Sequence, residues 1–291
     1  MPAPVLFVSD LDGTLLNGRG ELSSTSRRAL YKLLERGVQF TLASARSHFS
    51  IQSIFGDLPF QLPIIEFNGA YISDYQTGHH LHINALDEVL SRAVLEIIVQ
   101  RGLRPFISSF DGSRDHVRYD ELINYGMSWY EERRRAAHDP RLSRAIDLTA
   151  CLNESVVSFT VMTEDRAALV ELRHDLDHQF GEQLRTYFYE NEYSKGTWWL
   201  TIHAPRASKQ LAMQVLRDEY LPGATIVAFG DNHNDIEMIR LADRGIAVRN
   251  AIAELTAVAD EIIGSNEEDS VVNYLIKVTE IESTLSLSNP A

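Results

Sequence analysis

Short apolar runs alternate with amphipathic stretches at both ends of this 291-residue chain, and the middle breaks that rhythm. Near the amino terminus "VLFV" is apolar without alternation, the pattern of a strand covered on both faces of a parallel sheet. "LSSTSRRALYKLLERG" follows, with serines placed as caps, Leu30, Leu33 and Leu34 at helical spacing, and Gly37 as a stop. "VQFTLASAR" reads as a second strand, a helical pattern runs to about Phe55, and "PIIEFNGAYI" reads as a strand with a tight turn at Asn68 and Gly69. The alternation returns later: "SKQLAMQVLRDEYL" as helix, "TIVAFG" as strand, "DIEMIRLADRG" as helix, "IAVRNA" as strand, and "DEIIG" before a final helix. Repeated strand–helix alternation predicts an α/β fold with a parallel sheet. The last residues, "STLSLSNPA", read as frayed.

Between these ends the segments are longer and less regular, with helices expected near 86–101, 120–137 and 164–180. Strand candidates lie around "RPFISSF", "SVVSFTVM", "LRTYFYE" and "TWWLTIH". This predicts an α+β domain at 85–201 inserted into an α/β core made of 1–84 and 202–291, with "HHLHINALDEV" and "TIHAPRASKQ" as the linkers. The charge run "YEERRRAAHD" reads as a solvated helix face.

The polar residues that interrupt this pattern gather where core strands end. "VLFVSDLDGTLL" delivers Asp10 and Asp12 straight into Gly13. Two carboxylates at the end of a central strand repel each other and lose hydration, so something must compensate them. Magnesium, held by a few oxygen ligands and often shared with a phosphate, is the simplest candidate. "FGDNHND" follows "TIVA" in the same way and puts Asp231, Asn234 and Asp235 in a strand-to-helix loop. Ligands of open α/β sheets collect at these carboxyl ends. Ser44 ends another strand, and Lys209 opens a helix, an end already favourable to anions. Carboxylates for a metal, with a hydroxyl and a lysine for a phosphate, describe phosphoryl transfer.

Composition narrows the setting. With 44% hydrophobic residues the chain can bury a core large enough for two domains. A formal charge of −14 argues against nucleic acid or an anionic membrane as partner, since both need a basic face. A small phosphorylated metabolite remains compatible, and nothing indicates a protein partner. Cys151 is the only cysteine, which suits a reducing compartment. The start "MPAPVLFVSD" lacks the features of a signal peptide, and no run is long enough to span a membrane. The expectation is a soluble, cytoplasmic protein.

"DLDGTLL", "SAR" after a strand, Lys209 at a helix start, and "GDNHND" followed by "GIAVRNA" resemble the four ordered motifs of the haloacid dehalogenase-like phosphatases, most closely their Cof-type branch. The resemblance covers roughly 1–84 and 202–280. It implies a Rossmann-like core with an inserted α/β cap, and a magnesium-dependent phosphatase whose default substrates are sugar phosphates. It implies Asp10 as nucleophile, forming an aspartyl-phosphate, and Asp12 as general acid and base. Magnesium would be held by the carboxylates of Asp10 and Asp231 and the backbone carbonyl of Asp12. Asp235 would support the ion or position Lys209. Ser44, Lys209 and Asn234 would hold the phosphate, while Asn68 resembles a substrate-loop residue and also suits a plain turn. Arg46 could bind the phosphate or the cap, or form an ion pair at the domain boundary. The chain departs from the Cof-type pattern in Ser44-Ala45-Arg46 for Thr-Gly-Arg, in Gln210 after Lys209, and in Ser270 where a glycine is common.

Two alternatives remain at this stage: a phosphomutase of the same superfamily, and a non-enzymatic regulator that binds a phosphorylated ligand. Two further groups of residues stand out. His79, His80 and His82 in "GHHLH" read as a solvated hairpin face, because no carboxylate or cysteine nearby in sequence completes a metal site. Tyr187, Tyr189, Tyr193, Trp198 and Trp199 could stack on a ring of the substrate, although such residues more often pack a sheet against helices.

Overall fold

The computed structural model describes residues 3–191 and 193–287, which divide into two compact units, 1–82 with 208–291 and 83–207. The first unit is built around Val5–Ser9, whose continuous apolar run is buried on both sides: Leu6 and Val8 join one apolar cluster and Phe7 another. It lies inside a five-stranded parallel sheet in the order Glu261–Ile262, Arg244–Ala247, Thr225–Gly230, Val5–Ser9, Phe40–Leu42. A parallel bridge from Ala43 to Ile65 leads to a three-stranded sheet of Ile64–Glu66, Tyr71–Ser73 and His80–Ile83.

Helices cover both faces of the parallel sheet, as such a sheet requires. Ser24–Glu35 and His48–Phe55 supply Leu30, Leu33, Leu34, Ile51 and Phe55 to one side. Lys209–Tyr220 and Ile236–Leu241 supply Met213, Leu216, Met238 and Ile239 to the other. From Val5–Ser9 the chain moves to Phe40–Leu42 on one side, while Thr225–Gly230 occupies the other. The connections therefore diverge at the carboxyl ends of these two central strands, the switch point at which ligands of such sheets bind.

The second unit is a six-stranded sheet in the order Arg185–Glu190, Trp198–His203, Ser155–Thr163, Pro105–Phe110, Asp115–Tyr119, Leu142–Arg144. Only the last pair is parallel. Glu88–Gln100 and Arg166–Phe180 pack on one face. Tyr125–Ala136 packs on the other through Met127 and Tyr130. This helix starts at Tyr125 rather than 120, because the Asn124 side chain accepts from the Met127 amide and caps it there. The strands Asp115–Tyr119 and Leu142–Arg144 were not anticipated, being short and rich in charge.

Three local expectations change. The run "YEERRRAAHD" is not wholly solvated: Glu131 is buried beside Tyr119 and Arg135, and the Asp139 carboxylate is enclosed by Arg134 at 2.6 Å and Arg141 at 2.7 Å. His80 is also not solvated. It stacks on Tyr71 with ring centroids 3.8 Å apart, shares a hydrogen bond with Ser73, and has the Glu66 carboxylate 4.0 Å away. His82 meets Glu219 at 2.8 Å, so carboxylates distant in sequence do approach this segment. Finally, "STLSLSNPA", expected to fray, is helical as far as Leu287, and 288–291 lie outside the described residues.

Candidate active site

Asp10 leaves the first strand in extended conformation, φ −65° and ψ 166°, and its amide donates to Phe229 O of the neighbouring strand at 3.0 Å. Sheet pairing thus sets the two strand ends side by side, Asp10 on one and Asp231 on the other. Gly13 turns the chain at φ +74°, and a Cβ there would lie 2.4 Å from Asp231 Oδ2. Only glycine satisfies both the left-handed backbone and that close approach. The oxygens of Asp10, Asp231 and Asp235 come within 4.8 Å of one another, and all three residues are buried. Lys209, the first residue of its helix and 1% exposed, sets Nζ 2.5 Å from Asp10 Oδ1 and 2.7 Å from Asp235 Oδ1.

The charges do not balance here. Burial, then repulsion from Asp235, lifts the Asp10 pKa to about 7 against the pull of Lys209. Burial and the charges of Asp10 and Asp235 push Asp231 further, to about 9. Burial works against the charge on Lys209, yet the two carboxylates raise its pKa above the ordinary lysine value. One ammonium does not match three buried carboxylates, so Asp10 and Asp231 release their protons less readily than ordinary carboxyls. This hard-oxygen donor set fits a divalent cation such as magnesium, which would supply the missing positive charge. The fit rests on Asp10, Asp231 and Asp235.

Asp12 points to a different partner. Arg46 donates from Nε to Asp12 Oδ2 at 2.7 Å and from Nη2 to Asp12 Oδ1 at 2.6 Å, a two-pronged clasp that favours the ionised carboxylate. Arg46 therefore reaches the residue implied as proton carrier. Ser44 is buried at the end of its strand, with its hydroxyl accepting from the Arg46 amide at 3.1 Å. Its carbonyl accepts from the Asn68 amide at 2.9 Å, and Arg46 O accepts from Phe67 N at 3.1 Å. Phe67, Asn68 and Gly69 all take positive φ, at 45°, 56° and 97°. At Gly69 a Cβ would strike the Ser208 backbone at 2.4 Å, so this turn packs against the residue preceding Lys209. Asn68 forms the turn, and its Oδ1 also accepts from Asn234 Nδ2 at 3.0 Å. Ser44, Arg46, Asn68 and Asn234 are thus joined in one loop network. Asp235 binds the loop to itself, its Oδ2 accepting from the amides of Asp231 and Asn232, both at 3.1 Å.

Several supporting residues were not singled out by sequence reasoning. Thr14 Oγ1 donates to Asp231 Oδ1 at 2.8 Å, and Asn250 Nδ2 donates to Gly13 O at 2.7 Å. Both stand inside quoted motifs, "DLDGT" and "GIAVRNA", which was the available signal. Glu66 had no such signal. It is fully buried, burial raises its pKa, and one oxygen accepts from the amide of His48 at the start of that helix. The departure at Ser270 has a local answer: the left-handed residue is Asp269, φ 53°, and the Ser270 hydroxyl donates to Ser265 O at 2.9 Å. Gln210 leaves the helix Lys209–Tyr220 unbroken.

Among the described residues no helix is long and apolar enough to cross a membrane. Comparison with known proteins agrees with the geometry. Over 272 residues the chain is 26% identical to the pyridoxal phosphate phosphatase YbhA of Escherichia coli, covering 91% of this chain and 95% of the relative. Over 288 residues it is 25% identical to the 5-amino-6-(5-phospho-D-ribitylamino)uracil phosphatase YwtE of Bacillus subtilis, with the same coverages, 91% and 95%. A haloacid dehalogenase-like hydrolase from Bacteroides thetaiotaomicron has the same fold, with a TM-score of 0.77 at 22% identity over 94% of this chain and 99% of that one. Residues 7–275 match the haloacid dehalogenase-like hydrolase family as a whole, and the chain belongs to that family.

Proposed function

We propose that the protein is a phosphatase that hydrolyses small phosphomonoesters in the cytoplasm, with Asp10 as nucleophile and Asp12 as the proton carrier. The observation that carries this reading is the convergence of Asp10, Asp231 and Asp235 on the Lys209 ammonium where the central strands end. Asp10 attacks phosphorus in line and becomes an aspartyl-phosphate, which divides a difficult hydrolysis into two displacements. Lys209 lies against the attacking carboxylate and against Asp235, so it can offer N–H donors to the phosphoryl oxygens without moving far. The Ser44 hydroxyl and the Asn234 amide complete the phosphate cradle. Asp12 protonates the leaving alkoxide and then takes a proton from the hydrolytic water. Its clasp by Arg46 favours the ionised form, the one needed as base, and must loosen when Asp12 carries a proton. Asp10, Asp231 and the Asp12 backbone carbonyl, backed by Asp235, are the residues that would hold magnesium. When bound, the ion neutralises charge on the transferring group. The 83–207 unit is taken as the inserted cap domain.

Sugar phosphates are the default substrates, and the relatives named for pyridoxal phosphate and a ribitylaminouracil phosphate add heterocyclic esters to the range. The test is phosphate release from a panel of such esters, with magnesium and after chelation. The proposal expects turnover of at least one ester that stops on chelation and returns with magnesium. Isomerised product without free phosphate would replace it with a phosphomutase. Binding without turnover across the panel would replace it with a regulator. Full activity after chelation would remove the metal from the account.

A further inference from the structure

Glu66 is fully buried, yet it takes no part in the proposed chemistry. Its carboxylate closes the strand Ile64–Glu66, directly before the turn Phe67–Gly69. One oxygen accepts from the amide of His48, the first residue of the helix His48–Phe55, and so reaches the end of the loop that carries Ser44 and Arg46. Loop and turn are also tied through their backbones, Asn68 N to Ser44 O at 2.9 Å and Phe67 N to Arg46 O at 3.1 Å. Glu66 therefore stands at the seam of two segments, one bearing Ser44 and Arg46 and the other bearing Asn68.

A buried carboxylate is a costly way to make such a seam, since an uncharged side chain could accept from the same amide. Burial raises the Glu66 pKa, while the Ser73 hydroxyl and the imidazoles of His80 and His48 pull it down. From the strand His80–Ile83, His80 Nδ1 lies 4.0 Å from the other Glu66 oxygen and 2.8 Å from Ser73 Oγ. From the helix His48–Phe55, the His48 ring is fixed by Nε2 at 2.7 Å from Tyr75 O. The strand Tyr71–Ser73 adds the Tyr71 phenol, which stacks on His80 and meets the Phe67 ring edge-on at 5.8 Å. The turn needs this support. Phe67 and Asn68 hold left-handed φ values of 45° and 56° without being glycine, and a bulky residue stays there only when its surroundings hold it. The turn in turn places Asn68 Oδ1 against Asn234 Nδ2, and Gly69 against the Ser208 backbone beside Lys209.

We propose that Glu66 is a positioning residue for the phosphate cradle: its carboxylate, braced by the His48 amide and the His80 ring, locks the turn Phe67–Gly69 to the loop of Ser44, so that Ser44 and Asn234 keep the spacing a phosphoryl group needs. The negative charge strengthens both braces, at the helix amide and at the imidazole. Its loss loosens the turn, and with it the hold of Asn68 on Asn234. Those braces reach His48 and His80, not Asp10, Asp231 or Asp235, so the residues that would hold a metal are outside the effect. The inference rests on the phosphatase reading for the identity of the cradle, and its test therefore reads anion binding apart from turnover.

Glu66→Gln keeps the shape and an oxygen for the His48 amide while removing the charge. In the full chain, calorimetry follows binding of magnesium alone and of inorganic phosphate with magnesium present, and KM and kcat are measured with 4-nitrophenyl phosphate. The expected result is phosphate held about tenfold more weakly and KM raised by a similar factor, with magnesium affinity changed less than about twofold. The ratio of native to variant phosphate affinity should be largest at high pH, where Glu66 is ionised, and should approach one as pH falls through its raised pKa. Titration of phosphate and of the other groups is common to both proteins and cancels in that ratio. His80→Phe, which keeps a ring on Tyr71 and removes the imidazole, is the second variant if the first fails to fold, and should weaken phosphate about threefold. Unchanged phosphate binding, equal loss of magnesium and phosphate, or a ratio independent of pH would overturn the inference. Selective weakening of phosphate binding, in a protein whose native form turns over no ester, would keep Glu66 in its role and remove the phosphatase reading.

Discussion

In the unit formed by residues 1–82 and 208–291, the polar side chains where the strands end are mostly charged and answer one another: among buried groups Lys209 lies between Asp10 and Asp235 and Thr14 donates to Asp231, while the half-buried Arg46 clasps Asp12. In the 83–207 unit the buried row on Trp198–His203 is neutral, and Trp199 Nε1, Thr201 Oγ1 and His203 Nε2 lack hydrogen-bond partners. Buried charge is tolerated only with compensation, so the first arrangement requires several residues, far apart in sequence, to be right together. A neutral hydroxyl or imidazole is far less demanding. The charged cluster is therefore held by mutual dependence, whereas the neutral row tolerates change one residue at a time.

The sharpest way to break this contrast is to remove the nucleophile. Asp10→Asn should abolish turnover, by about 10⁴-fold or more, while the fold and weak substrate binding persist. Residual phosphate release at more than that level would mean that another residue attacks. Next in size is Lys209→Met, which leaves Asp10 and Asp235 without their ammonium. In chelator, urea unfolding should show a loss of about 3–5 kcal/mol, the usual result of removing one partner of a buried ion pair. A stability unchanged from the native protein would show that the carboxylates do not depend on it.

The neutral half has its own signature in pH. His203 titrates at about 4 in the fold and near 6.5 when exposed. Above the exposed value both states are uncharged, and His203 adds no pH dependence. As pH falls below it, the unfolded chain takes the proton first and stability drops, until the folded ring also titrates near 4. The full loss is about 3 kcal/mol. Urea unfolding of native and His203→Gln protein across this window should show the stability difference between them shifting by that amount. Parallel curves would contradict the buried neutral ring. The smallest effect belongs to Thr201→Val in the ligand-free protein, which should be neutral or slightly stabilising because the hydroxyl has no partner to lose. A clear destabilisation would mean that the hydroxyl is already satisfied.

The same division governs what could be read in the sequence. Asp10, Asp12 and Asp231 were legible as candidates because strand runs end at or beside them, and Lys209 because it opens a helix. The α/β core followed from its alternation of elements. The Arg46–Asp12 clasp could not be foreseen, since it depends on how the loop after Phe40–Leu42 returns toward the first strand. His80 looked solvated because its partners, Glu66 and Tyr71, meet it only through the three-stranded sheet. Asp139 sat in a run of charge whose burial depends on Arg134 and Arg141 folding over it. The row on Trp198–His203 was hidden for a different reason: single-strand alternation marks a face, and only the pairing with Thr160 and Tyr187 reveals a polar patch.

The central claim is that Asp10 carries the phosphoryl group and Asp12 moves the proton. In Asp12→Asn the nucleophile remains, while water attack on the acyl phosphate loses its base. With 4-nitrophenyl phosphate, whose leaving group needs little protonation, a burst of nitrophenol should precede a steady state slowed by about 10²- to 10⁴-fold. Acid-quenched Asp12→Asn protein, digested and weighed by mass spectrometry, should carry phosphate on Asp10. Phosphate on any other residue, or covalent label in the Asp10→Asn protein, would contradict the account.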